Sequence, residues 1–137
     1  MLVRVLQSGL QHFPAALLLA VTTLLPAQDR TVYAGTYTNG DITLPRVDAI
    51  AAKDQSGKFW LELTNIDPNN AVEIEVSVTG INVNSATGET LAADKVDTVN
   101  TFDAPIKVTP KPISAKVQNG RLTIKLDPKS ITVVSIS

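Results

Sequence analysis

Hydrophobic and polar residues alternate with a period of two along much of the chain. In the clearest run, residues 72–79, valine and isoleucine occupy every second position, and glutamate, serine and threonine lie between them. Residues 59–64 and 121–126 alternate in the same way. A period of two is typical of a β-strand with one buried face. Residues 131–136 are apolar on both faces, which predicts a strand at the centre of a sheet.

Turn-forming residues separate these runs. They cluster at positions 54–57, 67–70, 86–88, 119–120 and 127–128. Three prolines between residues 97 and 112 lack the amide hydrogen that a central strand needs, so we expect this stretch to cross the surface between two sheets. We therefore predict an all-β fold, an antiparallel β-sandwich of the jelly-roll type, over residues 29–137.

Residues 1–28 form an apolar N-terminal segment that precedes the predicted sandwich. Arg4 is the only charged residue before Asp29, and an apolar run extends from Phe13 to Leu25. The run is short for a membrane span, so we expect no membrane partner. One hypothesis is a secretory signal peptide, although Leu25 is large for its cleavage site; the other is the remnant of a linker. The protein is secreted under the first hypothesis and cytoplasmic under the second.

Composition excludes several kinds of site. The 137 residues fit one domain and carry a formal net charge of −1, without the basic stripe of a nucleic-acid partner. There is no cysteine, and the one histidine, His12, lies in the N-terminal segment. A thiolate metal site, a Ser-His-Asp triad and a histidine-rich zinc site are therefore not expected in the sandwich. Carboxylates remain as the acid/base side chains with a useful pKa, and we predict no cofactor and no metal site.

A collinear set of short segments between residues 36 and 137 adds to this pattern. The most distinctive is Asn-Thr-Phe-Asp-Ala-Pro at 100–105, followed by Val-Thr-Pro-Lys-Pro at 108–112. The other segments are 36–45, 48–53, 59–68, 80–91 and 126–136. In this order they resemble the C-terminal β-sandwich of the α-L-arabinofuranosidases of glycoside hydrolase family fifty-one. Thr23–Pro26 resembles the stretch that links barrel to sandwich in that family, which favours the linker hypothesis.

The resemblance implies a retaining glycosidase that removes terminal arabinofuranosyl groups from hemicellulose. Its two glutamates lie on a (β/α)8 barrel, and no segment of this chain resembles the strands that carry them, so no catalytic residue is transferred. The implied role is a non-catalytic accessory domain whose partner is that barrel, with homo-oligomerisation and weak contact with hemicellulose as further expectations. Because residues before the barrel can complete such a sandwich, an unpaired sheet edge is also expected.

Two polar groups have a plain structural interpretation beside a functional one. Glu73 and Glu75 share one face of a strand about 7 Å apart, a spacing that could suit paired glycosidase carboxylates. No cleft-forming aromatic residues accompany them, so a solvated strand face is favoured. Asp67, Asn69 and Asn70 could bind calcium, but such residues around a proline more often form a turn that bonds its own backbone.

Trp60 and Phe102 are the candidate contact residues, either for the barrel or for sugar. Trp60 is out of phase with the buried positions of its strand, so we expect it to face outward. Phe102 is expected to plug the crossover loop against the sandwich, with Asp103 capping that loop. The competing hypotheses for the whole chain are a secreted carbohydrate-binding module and the product of a disrupted gene without function.

Overall fold

The computed structural model describes residues 2–7, 29–78 and 80–137, and these residues form twelve strands and no helix. The strands are β1 (Leu2–Gln7), β2 (Asp29–Tyr33), β3 (Thr36–Asn39), β4 (Ile42–Pro45), β5 (Val47–Lys53), β6 (Phe59–Asn65), β7 (Val72–Val78), β8 (Ala86–Leu91), β9 (Lys111–Pro112), β10 (Ala115–Gln118), β11 (Arg121–Leu126) and β12 (Ser130–Ile136). The described residues contain no helix that could span a membrane. The predicted all-β class is confirmed.

Two five-stranded sheets face each other. Sheet I has the order β10-β11-β7-β1-β2, and sheet II has the order β5-β6-β12-β8-β9. Strands β3 and β4 form a separate hairpin, and β1 with β2 is the parallel pair among otherwise antiparallel pairings. The predicted antiparallel sandwich is confirmed. Strand β12 lies at the centre of sheet II, as its two apolar faces predicted.

The hydrophobic core fills the space between the sheets. On β6, β7 and β11 every second side chain is buried, as the alternation predicted, and β5 and β12 add the rest of sheet II. The largest fully buried side chains are Leu61, Leu63, Ile74, Leu122, Ile124, Leu126 and Ile136. Burial of these side chains is the main force that holds the two sheets together.

Part of the N-terminal segment belongs to sheet I. Residues 2–7, which the sequence analysis assigned to that segment, form β1 and pair with β7 so that Val5 lies opposite Val76. The apolar run from Phe13 to Leu25 lies outside the described residues, so the signal-peptide and linker hypotheses stay predictions. Strand β1 separates β7 from the edge of its sheet.

The predicted turn at residues 119–120 forms, whereas the predicted turn at residues 86–88 is wrong, because these residues begin strand β8 and pair with β12. Between β10 and β11, Asn119 and Gly120 have φ of 53° and 72°, the two positive values that a type I′ turn requires. Between β3 and β4, Gly40 has φ of 59° as the first of two turn residues. Residues 97–112 lie at the surface and form no central strand, as expected, but they return to the edge of sheet II as β9. The expected crossing between the sheets is therefore wrong for this stretch, because the chain reaches sheet I only with β10.

Candidate docking surface

Trp60 faces outward from sheet II, as predicted. It lies on β6 between Ala52 of β5 and Ser135 of β12, and its side chain is 38% exposed. The indole Nε1 donates a hydrogen bond of 3.1 Å to Oδ2 of Asp54. The Lys58 Nζ lies 4.7 Å from the centroid of the ring, which is a cation–π distance.

The Asp54 carboxylate organises the turn that holds Trp60. Its Oδ1 accepts hydrogen bonds from the Ser56 hydroxyl, the Ser56 amide and the Lys58 amide. These bonds, first that of the Ser56 side chain and then that of Trp60, lower the pKa of Asp54 to about 2. The Trp60 side chain is thus held by contacts with Asp54 and Lys58 of its own hairpin. The Lys58 ammonium covers part of the ring face on which a sugar would stack.

The loop between β8 and β9, residues 92–110, is held in shape by its own hydrogen bonds. The Asn100 side chain donates to the Val108 carbonyl (2.9 Å) and accepts from the Val108 amide (2.7 Å). Thr101 and Ala104 exchange backbone hydrogen bonds across a turn, and the Thr101 hydroxyl also accepts from the Ala104 amide. The bonds that close the loop come from Asn100 and Thr101, so the expected capping role of Asp103 is wrong.

Phe102 does not plug the loop. Its side chain is fully exposed, so the prediction that the ring packs against the sandwich is wrong. The physical reason is the turn from Thr101 to Ala104, which places Phe102 at its apex, away from the sheets. Val96, Val99 and Ile106 of the same loop are 80%, 64% and 78% exposed. An ordered loop that holds large apolar side chains in solvent is a typical contact surface for another protein.

The structure does not place Trp60 beside the loop that carries Phe102. Strand register puts Trp60 level with Ser135 and, one strand further, with Thr87 near the start of β8. The loop leaves β8 after Leu91, at the other end of the strand. The two candidate residues therefore belong to opposite ends of sheet II and do not form one sugar-binding platform.

A third apolar feature, which the sequence analysis missed, lies on the outer face of sheet II. Ile131 and Val133 point outward from the central strand β12. On the neighbouring strand β8, Leu91 pairs with Ile131. On the other side, Glu62 of β6 pairs with Val133, and Ile50 of β5 pairs with Glu62. We call Ile50, Leu91, Ile131 and Val133 the outer strip. Their exposed fractions are 51%, 38%, 50% and 44%. The two-faced apolar pattern of β12 was the signal that could have revealed the strip.

The turn at residues 67–70 bonds its own backbone. Oδ1 of Asp67 accepts hydrogen bonds from the amides of Asn69 and Asn70, each at 2.9 Å, and the Asn70 side chain donates to both carboxylate oxygens. The turn interpretation is confirmed. The described residues contain no group of three or more histidine, cysteine, aspartate or glutamate side chains that could hold a metal ion.

The carboxylates of β7 lie on a polar sheet face. Glu73 is exposed and Glu75 is half-buried, opposite the buried side chains of the same strand, so the solvated-face interpretation is confirmed. Glu75 forms a 2.8 Å ion pair with Arg121 and lines a shallow hollow with Gln118, Asn119 and Thr123. A hollow lined by polar side chains alone offers no ring on which a sugar could stack.

Comparison with known proteins decides the family. A protein-family model, that of the α-L-arabinofuranosidase C-terminal domain, matches residues 14–130 of this chain. The chain belongs to this family. An intracellular exo-α-L-arabinofuranosidase from Bacteroides ovatus is 34% identical over 95 residues, which cover 69% of this chain and 18% of that protein. The arabinofuranosidase C-terminal domain therefore spans about a fifth of the length of this relative.

Similar solved structures belong to enzymes of the same family. A GH51 arabinofuranosidase from Xanthomonas axonopodis pv. citri matches with a TM-score of 0.71 and 29% identity, over 75% of this chain and 21% of that one. A family 51 α-L-arabinofuranosidase from Bifidobacterium longum matches with a TM-score of 0.66 and 26% identity, over 76% and 21%. In both structures the matched region is about a fifth of the solved chain.

Proposed function

We propose that this chain is the non-catalytic accessory domain of an α-L-arabinofuranosidase that acts on terminal arabinofuranosyl groups of hemicellulose. Its physical task is to brace the catalytic barrel. The family match and the share of the relatives that it covers, about a fifth, support a domain of a larger enzyme. We further propose that residues 2–7, which pair with β7, and residues 29–137 form the accessory sandwich, and that the segment between them stems from the linker.

The exposed loop between β8 and β9 carries this proposal. Phe102 is fully exposed at the apex of a turn, and the hydrogen bonds between Asn100 and Val108 fix the loop before any partner arrives. A pre-ordered apolar anchor loses little conformational entropy on binding, and aromatic anchors dominate the energy of protein interfaces. We therefore assign Phe102 to contact with the barrel.

Trp60 is the second contact residue in this proposal. Its outward position and its exposed fraction of 38% suit a neighbouring domain. The hydrogen bond to Asp54 and the Lys58 ammonium over the ring leave less of the indole open to sugar than a stacking platform needs. Contact with the barrel is thus better supported than carbohydrate binding.

The intact mass and N-terminal sequence of the native gene product test the proposal, together with an assay of the isolated chain. We expect a product several times larger than 137 residues. We also expect no hydrolysis of an arabinofuranosyl substrate by the isolated chain and no retardation in gels that contain xylan or arabinan. A small product that begins near Gln28 or Asp29, with retardation that Trp60→Ala abolishes, would contradict the proposal and establish a secreted carbohydrate-binding module.

A further inference from the structure

The outer strip lies where a sheet is normally covered. Strand β12 is central in sheet II, and its inner side chains, among them Val134 and Ile136, are buried in the core. Its outer residues Ile131 and Val133 are also apolar, yet they are 50% and 44% exposed in the described part of the chain. Strands that are apolar on both faces are typical of sheets covered on both sides.

We propose that the outer strip is the face of this domain on which the catalytic barrel of the parent enzyme packs. The proposal rests on the proposed function, because it names the surface through which the accessory domain braces the barrel. It is independent of the loop that carries Phe102. The strip occupies the central part of sheet II, whereas the loop projects beyond the end of β8.

The size of the strip favours a partner in the same polypeptide over a second copy of this chain. Four half-exposed aliphatic side chains supply much less than the roughly 800 Å² that each partner contributes to a stable interface between separate proteins. A tethered neighbour does not lose the translational and rotational freedom that two free proteins lose, so a small apolar contact is enough. About four-fifths of each matched relative lies outside the region that this chain covers.

The chemistry of the strip disfavours other occupants. Its side chains are branched aliphatic ones and carry no ring on which a sugar could stack. Glu62 and Glu89 flank Val133 on the two neighbouring strands, so nucleic acid and anionic lipid would meet negative charge. A folded domain with its own apolar surface is the partner that fits.

The test is a fusion in which the whole 137-residue chain replaces the matched region of the Bacteroides ovatus arabinofuranosidase. The variant is Val133→Lys, because the new lysine would lie between Glu62 and Glu89 and the domain should still fold. The matched control is Thr123→Lys, on the outer face of sheet I. Ile131→Thr, which keeps a β-branched side chain, serves instead if Val133→Lys destabilises the isolated chain.

We expect the unmodified fusion to be active and to unfold in one cooperative transition. Val133→Lys should split that transition or lower its midpoint by about 2–4 °C or more, while Thr123→Lys leaves it unchanged. The urea midpoint of the isolated chain should be the same for both variants. Equal behaviour of the two fusions, or two independent transitions in the unmodified fusion, would overturn the strip as the docking face.

Two further outcomes separate this proposal from the proposed function. Dimerisation of the isolated chain that Val133→Lys abolishes would assign the strip to a second copy and overturn the barrel as its occupant. The proposed function would survive that result, because it is tested on the native gene product. A small, exported native product would overturn both proposals, since no barrel would then be attached.

Discussion

Arg46 and Asp67 form an ion pair at one end of the sandwich, with 3.3 Å between Nη2 and Oδ2. The Asp67 side chain is 2% exposed and that of Arg46 is 24% exposed. The backbone reinforces the contact, because the Ile66 amide donates to the Arg46 carbonyl and the Lys129 amide donates to the Asp67 carbonyl. The pair therefore ties together the start of β5, the turn after β6 and the turn before β12.

Replacing Asp67 should destabilise the fold. In Asp67→Ala the Arg46 guanidinium loses its partner, and the amides of Asn69 and Asn70 lose their acceptor. We expect the free energy of unfolding to fall by about 2–3 kcal/mol, measured by urea denaturation. Asp103→Asn, in the exposed loop, is the control and should change it by less than about 0.5 kcal/mol. Equal effects of the two substitutions would show that the network contributes nothing.

Stability should also depend on pH through Asp67. Burial by itself raises the pKa of this carboxyl, but hydrogen bonds from Asn69 and Asn70 and the charge of Arg46 outweigh it, so the pKa lies below 3.8. Because the folded pKa is below the unfolded one, the stabilisation is fully present above about pH 4 and is lost as pH falls through the folded pKa. The urea midpoint should therefore drop on acidification.

Asp54 also has a lowered pKa, so its protonation also lowers stability as the pH falls. The variant Asp67→Asn separates the contribution of Asp67 from that of Asp54. The stability difference between the wild type and Asp67→Asn should be largest near neutral pH and shrink below about pH 4. A difference that stays constant down to pH 2 would contradict the assignment to Asp67.

Truncating Phe102 should leave the isolated domain as stable as before. The ring is fully exposed, so Phe102→Ala removes no buried contact and should change the free energy of unfolding by less than about 0.5 kcal/mol. Leu63→Ala is the contrasting variant, because Leu63 is 0% exposed between the sheets and its loss should cost about 3 kcal/mol. Thermal or urea unfolding measures both. A large effect of Phe102→Ala would place the ring against the sandwich after all.

Gly88 should tolerate no side chain. A Cβ at this position of β8 would lie 2.1 Å from the Val133 carbonyl oxygen and 2.9 Å from the Val134 Cα, and both are backbone atoms of the central strand. We expect Gly88→Ala to lower the free energy of unfolding by about 3 kcal/mol through overpacking. Gly40→Ala has free space but φ of 59°, so it should cost only about 1 kcal/mol. The comparison separates steric contact from backbone strain.

The sequence predicted the parts of the fold that local pattern controls. The alternation in residues 72–79 and 121–126 marks the buried face of a strand whichever neighbour it pairs with, and β12 revealed its central place by being apolar on both faces. The pairing of β1 with β7 could not be predicted, because the two strands are far apart in the sequence. It depends on whether the edge of β7 is still unpaired when the folded sheet brings β1 beside it. Which strand pairs with which neighbour is a long-range property that no local pattern encodes.

The candidate surface was predicted less well. The outward position of Trp60 followed from its phase on β6. Phe102 was placed wrongly, because hydrophobicity alone does not tell whether a loop folds inward; the Asn100 side chain, which bonds both backbone groups of Val108, decides that. The outer strip was missed because its members come from three different strands and meet only when the sheet forms.

The central position of β12 also determines when the domain can fold during synthesis. Strands β6 and β8 each pair with β12, so neither finds its sheet II neighbour on that side until residues 130–136 have left the ribosome. Until then β6 and β8 expose unpaired backbone edges beside apolar side chains, a state that is prone to aggregate. In a nascent chain of this domain, the strands that flank β12 are therefore the ones whose inner edges stay unpaired longest.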